Sequence, residues 1–185
     1  MSFAIVTDTS ANLPNDMLRR NAVGVVPFSY FIEESAHTCM DSAAFDGAAY
    51  YQSIRKGARV TTSQINPQRY MDCLAPLLEG GQDVLYVGMS SGISGSYASA
   101  EIAAAELRGA FPQRGVRLVD TFGASLGEGL LVIKAVACRS LGMGLDDTAD
   151  LLLSLRHRVC QAFTVDDLMH LLRSVRLSNI TAVAG

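Results

Sequence analysis

Four segments rich in hydroxyl side chains each follow a short apolar run in this sequence. They lie at residues 8–10, 61–64, 90–96 and 120–125, and the third reads SSGISGS, without lysine, histidine or acid. Serine and threonine hydroxyls donate hydrogen bonds without adding charge, and the free amides at a helix start favour an anion. Together the four segments predict a binding site for a carboxylate or a phosphate. The alternative, for one segment and still for all four together, is that each hydroxyl merely caps its own helix.

The segment at residues 90–96 does not match the common nucleotide-binding motifs. It lacks the lysine of the Walker loop, which argues against nucleotide hydrolysis of that kind. The spacing of Gly92 and Gly95 also differs from that of a dinucleotide-binding glycine pattern.

Residues 88–92 read GMSSG, a G-x-S-x-G pattern that would make Ser90 the nucleophile of a serine hydrolase. Such an enzyme needs a histidine that activates the serine and an acid that orients the histidine. Asp120 is well placed for the acid, but His157 and His170 fall within helical patterns rather than in loops. A serine hydrolase therefore stays as the alternative to anion binding.

Two aspartates, Asp8 and Asp120, begin two of the hydroxyl-rich segments. They could hold Mg²⁺ or act as an acid and a base. They could equally accept hydrogen bonds from loop amides and keep the binding edge rigid. The many hydroxyl and amide donors nearby favour this second role.

The apolar runs alternate with amphipathic ones, which is typical of an α/β domain with a mainly parallel sheet. In an open parallel sheet the carboxyl ends of the strands meet at one edge, where ligands bind. The four hydroxyl-rich segments are therefore expected at that edge. Strands are predicted at residues 3–8, 24–32, 58–63, 84–89, 115–121 and 161–165, and helices at 41–57, 68–81, 126–142, 145–159 and 166–177, with further helices after Asn12 and after residue 96.

Several single residues predict where these elements begin or end. Asn12, Asn66 and Asp146 are expected to cap helices. Pro27 indicates an edge or a bulge in its strand, and Pro76 is expected to break or end the helix in which it lies.

The composition favours one globular domain with a core of useful size. The chain has 185 residues, of which 49% are hydrophobic and 18% charged, and a formal net charge of −3. No run of basic residues indicates nucleic acid or an anionic membrane as a partner. No apolar stretch reaches the length of a bilayer span, and the opening MSFAIVTD lacks the charged region of a signal peptide. We therefore expect a cytoplasmic protein.

The four cysteines, Cys39, Cys73, Cys138 and Cys160, are widely spaced and form no C-x-x-C pair. They are predicted to be buried free thiols in a reducing compartment. The histidines have no ligand spacing with these cysteines or with one another, so we expect neither a metal site nor a cofactor.

Several ordered motifs resemble those of the DegV family of bacterial fatty-acid-binding proteins. The matching stretches are DTSANLP at residues 8–14, VVPF at 25–28, TTSQ at 61–64, SSGISGSY at 90–97 and a later pattern of acid, serine and glycines at 120–129. They span the whole chain, and together they are far more specific than any one of them.

The resemblance implies a Rossmann-like, three-layer α/β domain that binds a long-chain fatty acid by its carboxylate and has no catalytic site. It implies that hydroxyls of the TTSQ and SSGISGS stretches hold the carboxylate, beside two glycine amides, and that an arginine lies near the head group or a partner surface. The residues implied to bind the ligand are Ser10, Thr62, Ser63, Ser91, Gly92, Ser94, Gly95 and Arg176.

The resemblance also implies a partner. Some members of the family present the acyl chain to an ATP-dependent fatty acid kinase subunit, which makes an acyl phosphate for phospholipid synthesis. The chain departs from the family at three places: Ile65 replaces proline, Ser96 replaces threonine, and residues 174–177 read SVRL in place of G-G-R-I.

Members of the family continue into a second α/β domain that covers the acyl tail. We expect residues 1–165 to form the amino-terminal domain and residues 166–185 to begin the connection to a second domain, which this chain lacks. On this expectation the chain is truncated, and an uncovered apolar face would favour self-association. A truncated remnant that binds no lipid is then a further alternative.

Overall fold

The computed structural model describes residues 3–38 and 45–164. In chain order the strands are β1 (Ala4–Asp8), β2 (Val23–Val26), β3 (Ser29–Ile32), β4 (Ser35–Thr38), β5 (Val60–Ser63), β6 (Val84–Gly88) and β7 (Val116–Asp120). The helices are α1 (Asn15–Arg20), α2 (Gly47–Arg55), α3 (Pro67–Glu79), α4 (Ser96–Ala110), α5 (Leu126–Ser140) and α6 (Leu145–Leu155). Two short 3-10 turns span Thr9–Ala11 and Arg156–Arg158.

Four strands form a parallel sheet in the order β2-β1-β6-β7. Strands β1 and β6 are buried along their whole length, which explains why they read as continuous apolar runs. Successive side chains of a strand point to opposite faces, so the sheet packs between two helical layers. One cluster contains Val84, Tyr86, Leu74 of α3 and Ala103 of α4, and the other contains Leu85, Val87, Leu131 of α5 and Leu152 of α6. The predicted three-layer α/β fold with a mainly parallel sheet is confirmed.

A second sheet, antiparallel and three-stranded, has the order β4-β3-β5. The prediction of one strand over residues 24–32 is therefore wrong, and so is the placement of residues 58–63 in the parallel sheet. Val26 is the last residue of β2 that pairs with β1. Pro27 then follows without a backbone donor, and the amide of Phe28 donates to Thr9 Oγ1 at 3.0 Å instead of joining a strand. The chain leaves the parallel sheet at this point and enters β3.

The predicted helix caps are confirmed at one position and wrong at two. Asn66 accepts a hydrogen bond from the amide of Arg69 at 2.9 Å and caps α3. Asn12 does not cap α1, whose cap position is Pro14; it ends the first 3-10 turn in a left-handed conformation with φ of 50°. Asp146 lies in the first turn of α6, whose cap position is Gly144.

Pro76 neither breaks nor ends α3, which continues to Glu79. The proline removes one backbone hydrogen bond. Since this bond lies in the last turns of a helix that is anchored by buried Leu74 and Leu78, the helix tolerates its loss.

The predicted strand at residues 161–165 is also wrong for its described part, because residues 161–164 form no regular structure. The side chain of Gln161 instead bonds the backbone of Ala124, with Nε2 donating to the carbonyl at 2.7 Å. The helix predicted at residues 166–177 lies outside the described residues.

Three cysteines have free thiols: Cys138 is buried, Cys73 is half-buried and Cys160 is exposed. The prediction of a buried thiol is thus wrong for Cys160, which lies in the irregular segment after the second 3-10 turn. Cys39 lies outside the described residues.

Across residues 3–38 and 45–164, no helix is both long and apolar enough to cross a membrane.

Candidate functional site

A cavity of about 380 Å³ lies where the carboxyl end of β1 meets the second sheet. Its wall includes hydroxyl, amide and carboxylate side chains close to the first 3-10 turn and to residues 89–94. The polar members are Thr7, Asp8, Thr9, Ser10, Asn12, Asn15, Ser29, Thr62 and Ser94, and the aliphatic and thioether members are Ala11, Leu13, Leu18, Val25, Met89 and Ile93. The cavity thus offers hydrogen-bond donors together with a mainly apolar wall, as small-molecule sites do.

Three of the predicted site residues line this cavity: Ser10, Thr62 and Ser94. They come from different parts of the fold, since Thr62 belongs to β5 of the second sheet, opposite Tyr30 in the ladder. The expectation that all four segments end strands of one parallel sheet is therefore wrong for residues 61–64. The second sheet nevertheless brings this segment to the cavity.

Four other predicted residues lie outside the described cavity wall. Ser63 pairs with Ser29 in the β3–β5 ladder. The amide of Ser91 donates to Asp120 Oδ1 at 3.2 Å, and the amide of Gly92 donates to Ser90 Oγ at 3.2 Å. Both amides are already bonded within the protein, and Gly95 occupies the cap position of α4. Arg176 lies outside the described residues.

A chain of hydrogen bonds joins residues 90–96 to Ile65, which lies just beyond the end of β5. Ser94 Oγ lies 2.8 Å from Ser96 Oγ and accepts a hydrogen bond from the Ser96 amide at 3.2 Å. Ser96 Oγ in turn accepts from the amide of Ile65 at 3.0 Å. The SSGISGS stretch is therefore tied to the residue that follows TTSQ through the buried hydroxyl of Ser96.

An aromatic cluster forms another part of the cavity wall. The ring centroids of Tyr30 and Tyr50 lie 5.5 Å apart, and those of Phe45 and Tyr50 lie 5.1 Å apart. Burial raises the pKa of Tyr50. Sequence reasoning missed these residues, although three aromatic side chains in the otherwise small and polar stretch 45–53 are a signal that could have identified them.

Asp8 has the rigid, hydrogen-bonded role that the sequence favours. Its carboxylate accepts from the amide of Ser10 at 2.9 Å, from the hydroxyl of Tyr86 at 2.8 Å and from the amide of Met89 at 3.3 Å. The Tyr86 hydroxyl also lies 2.9 Å from that of Tyr70, and burial raises the pKa of both phenols. Asp8 therefore ties the first 3-10 turn to the end of β6.

Asp120 acts in the same way at the next strand end. Its Oδ1 accepts from the amides of Ser91 and Phe122, at 3.2 Å and 3.1 Å. The predicted role of Asp120 as an acceptor for loop amides is confirmed.

Across residues 3–38 and 45–164, no group of three or more histidine, cysteine or acidic side chains is arranged to hold a metal ion.

Glu128 is a further acid that sequence reasoning missed. It lies in the first turn of α5 and is fully buried. Thr7 Oγ1 donates to its Oε1 at 3.0 Å. The signal in the sequence is a single acid inside the apolar stretch LGEGLLVI.

The described histidines do not assemble a hydrolase around Ser90. Ser90 Oγ accepts from the Gly92 amide, while the ring of His157 packs on Phe122 at 5.3 Å between centroids. His157 lies in the second 3-10 turn, near the end of β7, rather than within a helix as predicted. In the part of the chain that the structure describes, no histidine forms a hydrogen bond with Ser90, so the structure does not favour this alternative; His170 lies outside that part.

Comparison with known proteins identifies relatives over the full length of the chain. The profile of the DegV family, described as an uncharacterised protein family, matches residues 2–185. The DegV domain-containing protein YteA of Lactococcus lactis is 34% identical over 185 residues, and CPE0026 of Clostridium perfringens is 32% identical over 183 residues. These matches cover 100% and 99% of the chain but 64% and 63% of the two relatives. The chain thus spans less than two thirds of the length of these relatives.

Solved structures give the same picture of the fold. A DegV family protein from Thermus thermophilus, described as fatty-acid binding, matches with a TM-score of 0.81 and 31% identity. The match covers 94% of this chain and 60% of that protein. DegV from Bacillus subtilis, described as a fatty acid binding protein, matches with a TM-score of 0.81 and 26% identity, over 100% of this chain and 64% of that protein.

Proposed function

The chain belongs to the DegV family, and we propose that it binds a long-chain fatty acid in the cavity between the first 3-10 turn and the second sheet. The observation that carries the proposal is the composition of the cavity wall, where the hydroxyls of Thr62 and Ser94 stand beside a mainly apolar and aromatic surface. A carboxylate needs donors at one end of the ligand, and an acyl chain needs apolar contacts along the rest.

The head group is proposed to bind at Thr62 and Ser94. Ser94 Oγ already accepts from the Ser96 amide. When Ser96 Oγ also donates to Ser94, the proton of Ser94 is left for the ligand carboxylate. Hydrogen bonds to a charged group are stronger than those between neutral groups. Contributions from Ser63, Ser91, Gly92 and Gly95 remain predictions.

The acyl chain is proposed to lie along the aliphatic and aromatic wall. Each methylene that leaves water contributes about 0.8 kcal/mol. The rings of Phe45 and Tyr50, together with Leu13, Val25 and Ile93, supply this surface. The fatty-acid binding described for the proteins from Thermus thermophilus and Bacillus subtilis supports the assignment.

The proposed role is binding rather than catalysis. We propose that the bound acid is presented to an ATP-dependent fatty acid kinase subunit in the cytoplasm, which would serve phospholipid synthesis. Three further proposals are of the same kind. Arg176 contacts the head group or the partner, the chain self-associates through an apolar face, and a domain boundary lies near residue 165. An assay with the purified kinase, ATP and the fatty-acid-loaded protein would test this partnership. The expected product is acyl phosphate.

Mass spectrometry tests the ligand. The chain is purified, extracted under denaturing conditions and analysed for co-purified fatty acid. Wild type is expected to carry a near-stoichiometric amount, and Ser94→Ala much less. Ser154→Ala is the matched control, because Ser154 is an exposed residue of α6 that bonds its own helix backbone. A wild-type protein that holds no fatty acid, and takes none up after delipidation, would contradict the proposal.

A further inference from the structure

Two buried carboxyl groups meet at one serine hydroxyl beside the cavity. Asp8 is 1% exposed and Glu128 is 0% exposed. Ser10 Oγ lies 2.5 Å from Asp8 Oδ1 and 2.5 Å from Glu128 Oε2. The two acids come from the end of β1 and the first turn of α5, so the tertiary structure alone brings them together.

The number of protons limits what this arrangement can be. A serine hydroxyl has one proton and can donate it to one of the two carboxyl groups. The other short contact is a hydrogen bond only when that carboxyl carries a proton and donates to Ser10 Oγ. Two ionised carboxylates would leave one oxygen pair without a proton and would place two desolvated negative charges side by side.

The hydrogen bonds around each acid indicate which one is protonated. Besides Ser10 Oγ, Asp8 accepts from the amides of Ser10 and Met89 and from the Tyr86 hydroxyl, which favours its charged form. Glu128 has fewer donors and is completely buried. Desolvation, followed by the negative charge of Asp8, raises the pKa of Glu128 well above its ordinary value.

The remaining groups near Glu128 do not reverse this assignment. Thr7 of β1 donates a neutral hydroxyl and Asp8 donates its backbone amide, while Tyr86 of β6 and Tyr70 of α3 are neutral phenols. Within residues 3–38 and 45–164, no lysine, arginine or histidine forms a salt bridge with either acid. The amino-terminal dipole of α5 favours a negative Glu128, but this effect is smaller than the cost of desolvating a second charge.

We propose that Glu128 is protonated in the folded protein at neutral pH and donates to Ser10 Oγ, which donates in turn to Asp8. Glu128 is then a positioning residue: it fixes the Ser10 hydroxyl on Asp8, and the buried Asp8–Glu128 pair beside the cavity carries one negative charge instead of two. Ser10 has no proton left for a ligand. The assignment does not depend on which ligand occupies the cavity.

Unfolding by urea at a series of pH values tests the proposal. An acid whose folded pKa is raised contributes stability that is complete below its unfolded pKa, of about 4.3, and is lost as the pH rises toward its folded pKa. In Glu128→Gln the amide keeps a donor for Ser10 and an acceptor for Thr7 but cannot titrate. We expect the ratio of the folding constants of Glu128→Gln and wild type to rise about tenfold per pH unit within this window.

The matched control is Glu106→Gln, which makes the same change at an exposed position of α4. Its folding constant should follow that of wild type at every pH. A ratio between Glu128→Gln and wild type that stays constant from pH 5 to pH 8 would overturn the proposal.

Infrared spectroscopy of delipidated wild type covers the case in which Glu128→Gln does not fold. Exposed carboxyl groups are ionised at pH 7, so the carbonyl stretch of a protonated carboxylic acid would come from a buried one. We expect this band at pH 7 in wild type and in Glu106→Gln. Its absence from both would refute a neutral Glu128.

Discussion

The backbone amide of Ile65 donates to Ser96 Oγ at 3.0 Å, and this bond joins the segment that follows β5 to the start of α4. Ile65 is 3% exposed, and Ser96 is 1% exposed. The contact therefore fixes the TTSQ stretch against the SSGISGS stretch in a place that water does not reach. It also positions Ser94, whose hydroxyl lies 2.8 Å from that of Ser96.

Ser96→Ala should destabilise the fold by about 1–3 kcal/mol, because it leaves the buried amide of Ile65 without an acceptor. Denaturant unfolding measures this change. Ser154→Ala, on the exposed side of α6, should stay within about 0.5 kcal/mol of wild type. Equal stability of the two variants would mean that the Ile65–Ser96 bond contributes nothing.

Tyr50→Ala should weaken the binding of a long-chain fatty acid by about tenfold or more, since it removes a ring from the apolar wall. Tyr50→Phe keeps the ring and should bind like wild type. Titration of delipidated protein with a fluorescent fatty acid gives both affinities. A loss in Tyr50→Phe as large as that in Tyr50→Ala would assign the effect to the hydroxyl and contradict the apolar role.

Tyr86→Phe should cost about 1–3 kcal/mol of unfolding free energy, because it removes a buried donor from Asp8 and a partner from the hydroxyl of Tyr70. The double variant Tyr70→Phe/Tyr86→Phe should cost less than the sum of the two single changes, since the two hydroxyls share one bond. A thermodynamic cycle of the four proteins in urea measures the coupling. Strict additivity would show that the two phenols act independently.

Purified wild type should not hydrolyse an activated ester above the background rate, because Ser90 has no histidine partner in the described part of the chain. Ser90→Ala should therefore leave the ester assay unchanged. It should also retain fatty acid, unlike Ser94→Ala. Turnover in wild type that disappears in Ser90→Ala would restore the hydrolase as a candidate.

The family and three of the residues that line the cavity could be recognised from the sequence. The runs that became β1 and β6 are largely apolar, because both faces of the parallel sheet are covered. The cap at Asn66 and the role of Asp120 as an acceptor for loop amides were also predictable. The cap involves residues close in the chain, and the bonds of Asp120 join the ends of neighbouring strands. The ordered motifs pointed to Ser10, Thr62 and Ser94, which do line the cavity.

Partners that are distant in sequence were decided only by the tertiary structure. A strand pattern does not state which strand it pairs with, so the antiparallel pairing of β5 with β3 was not predictable from residues 58–63. The aromatic wall depends on the packing of α2 against β3, and the meeting of Glu128 with Ser10 depends on how α5 crosses the end of β1. These contacts are set by burial and by the need to satisfy polar groups away from water, and neither condition can be read from a residue's immediate neighbours.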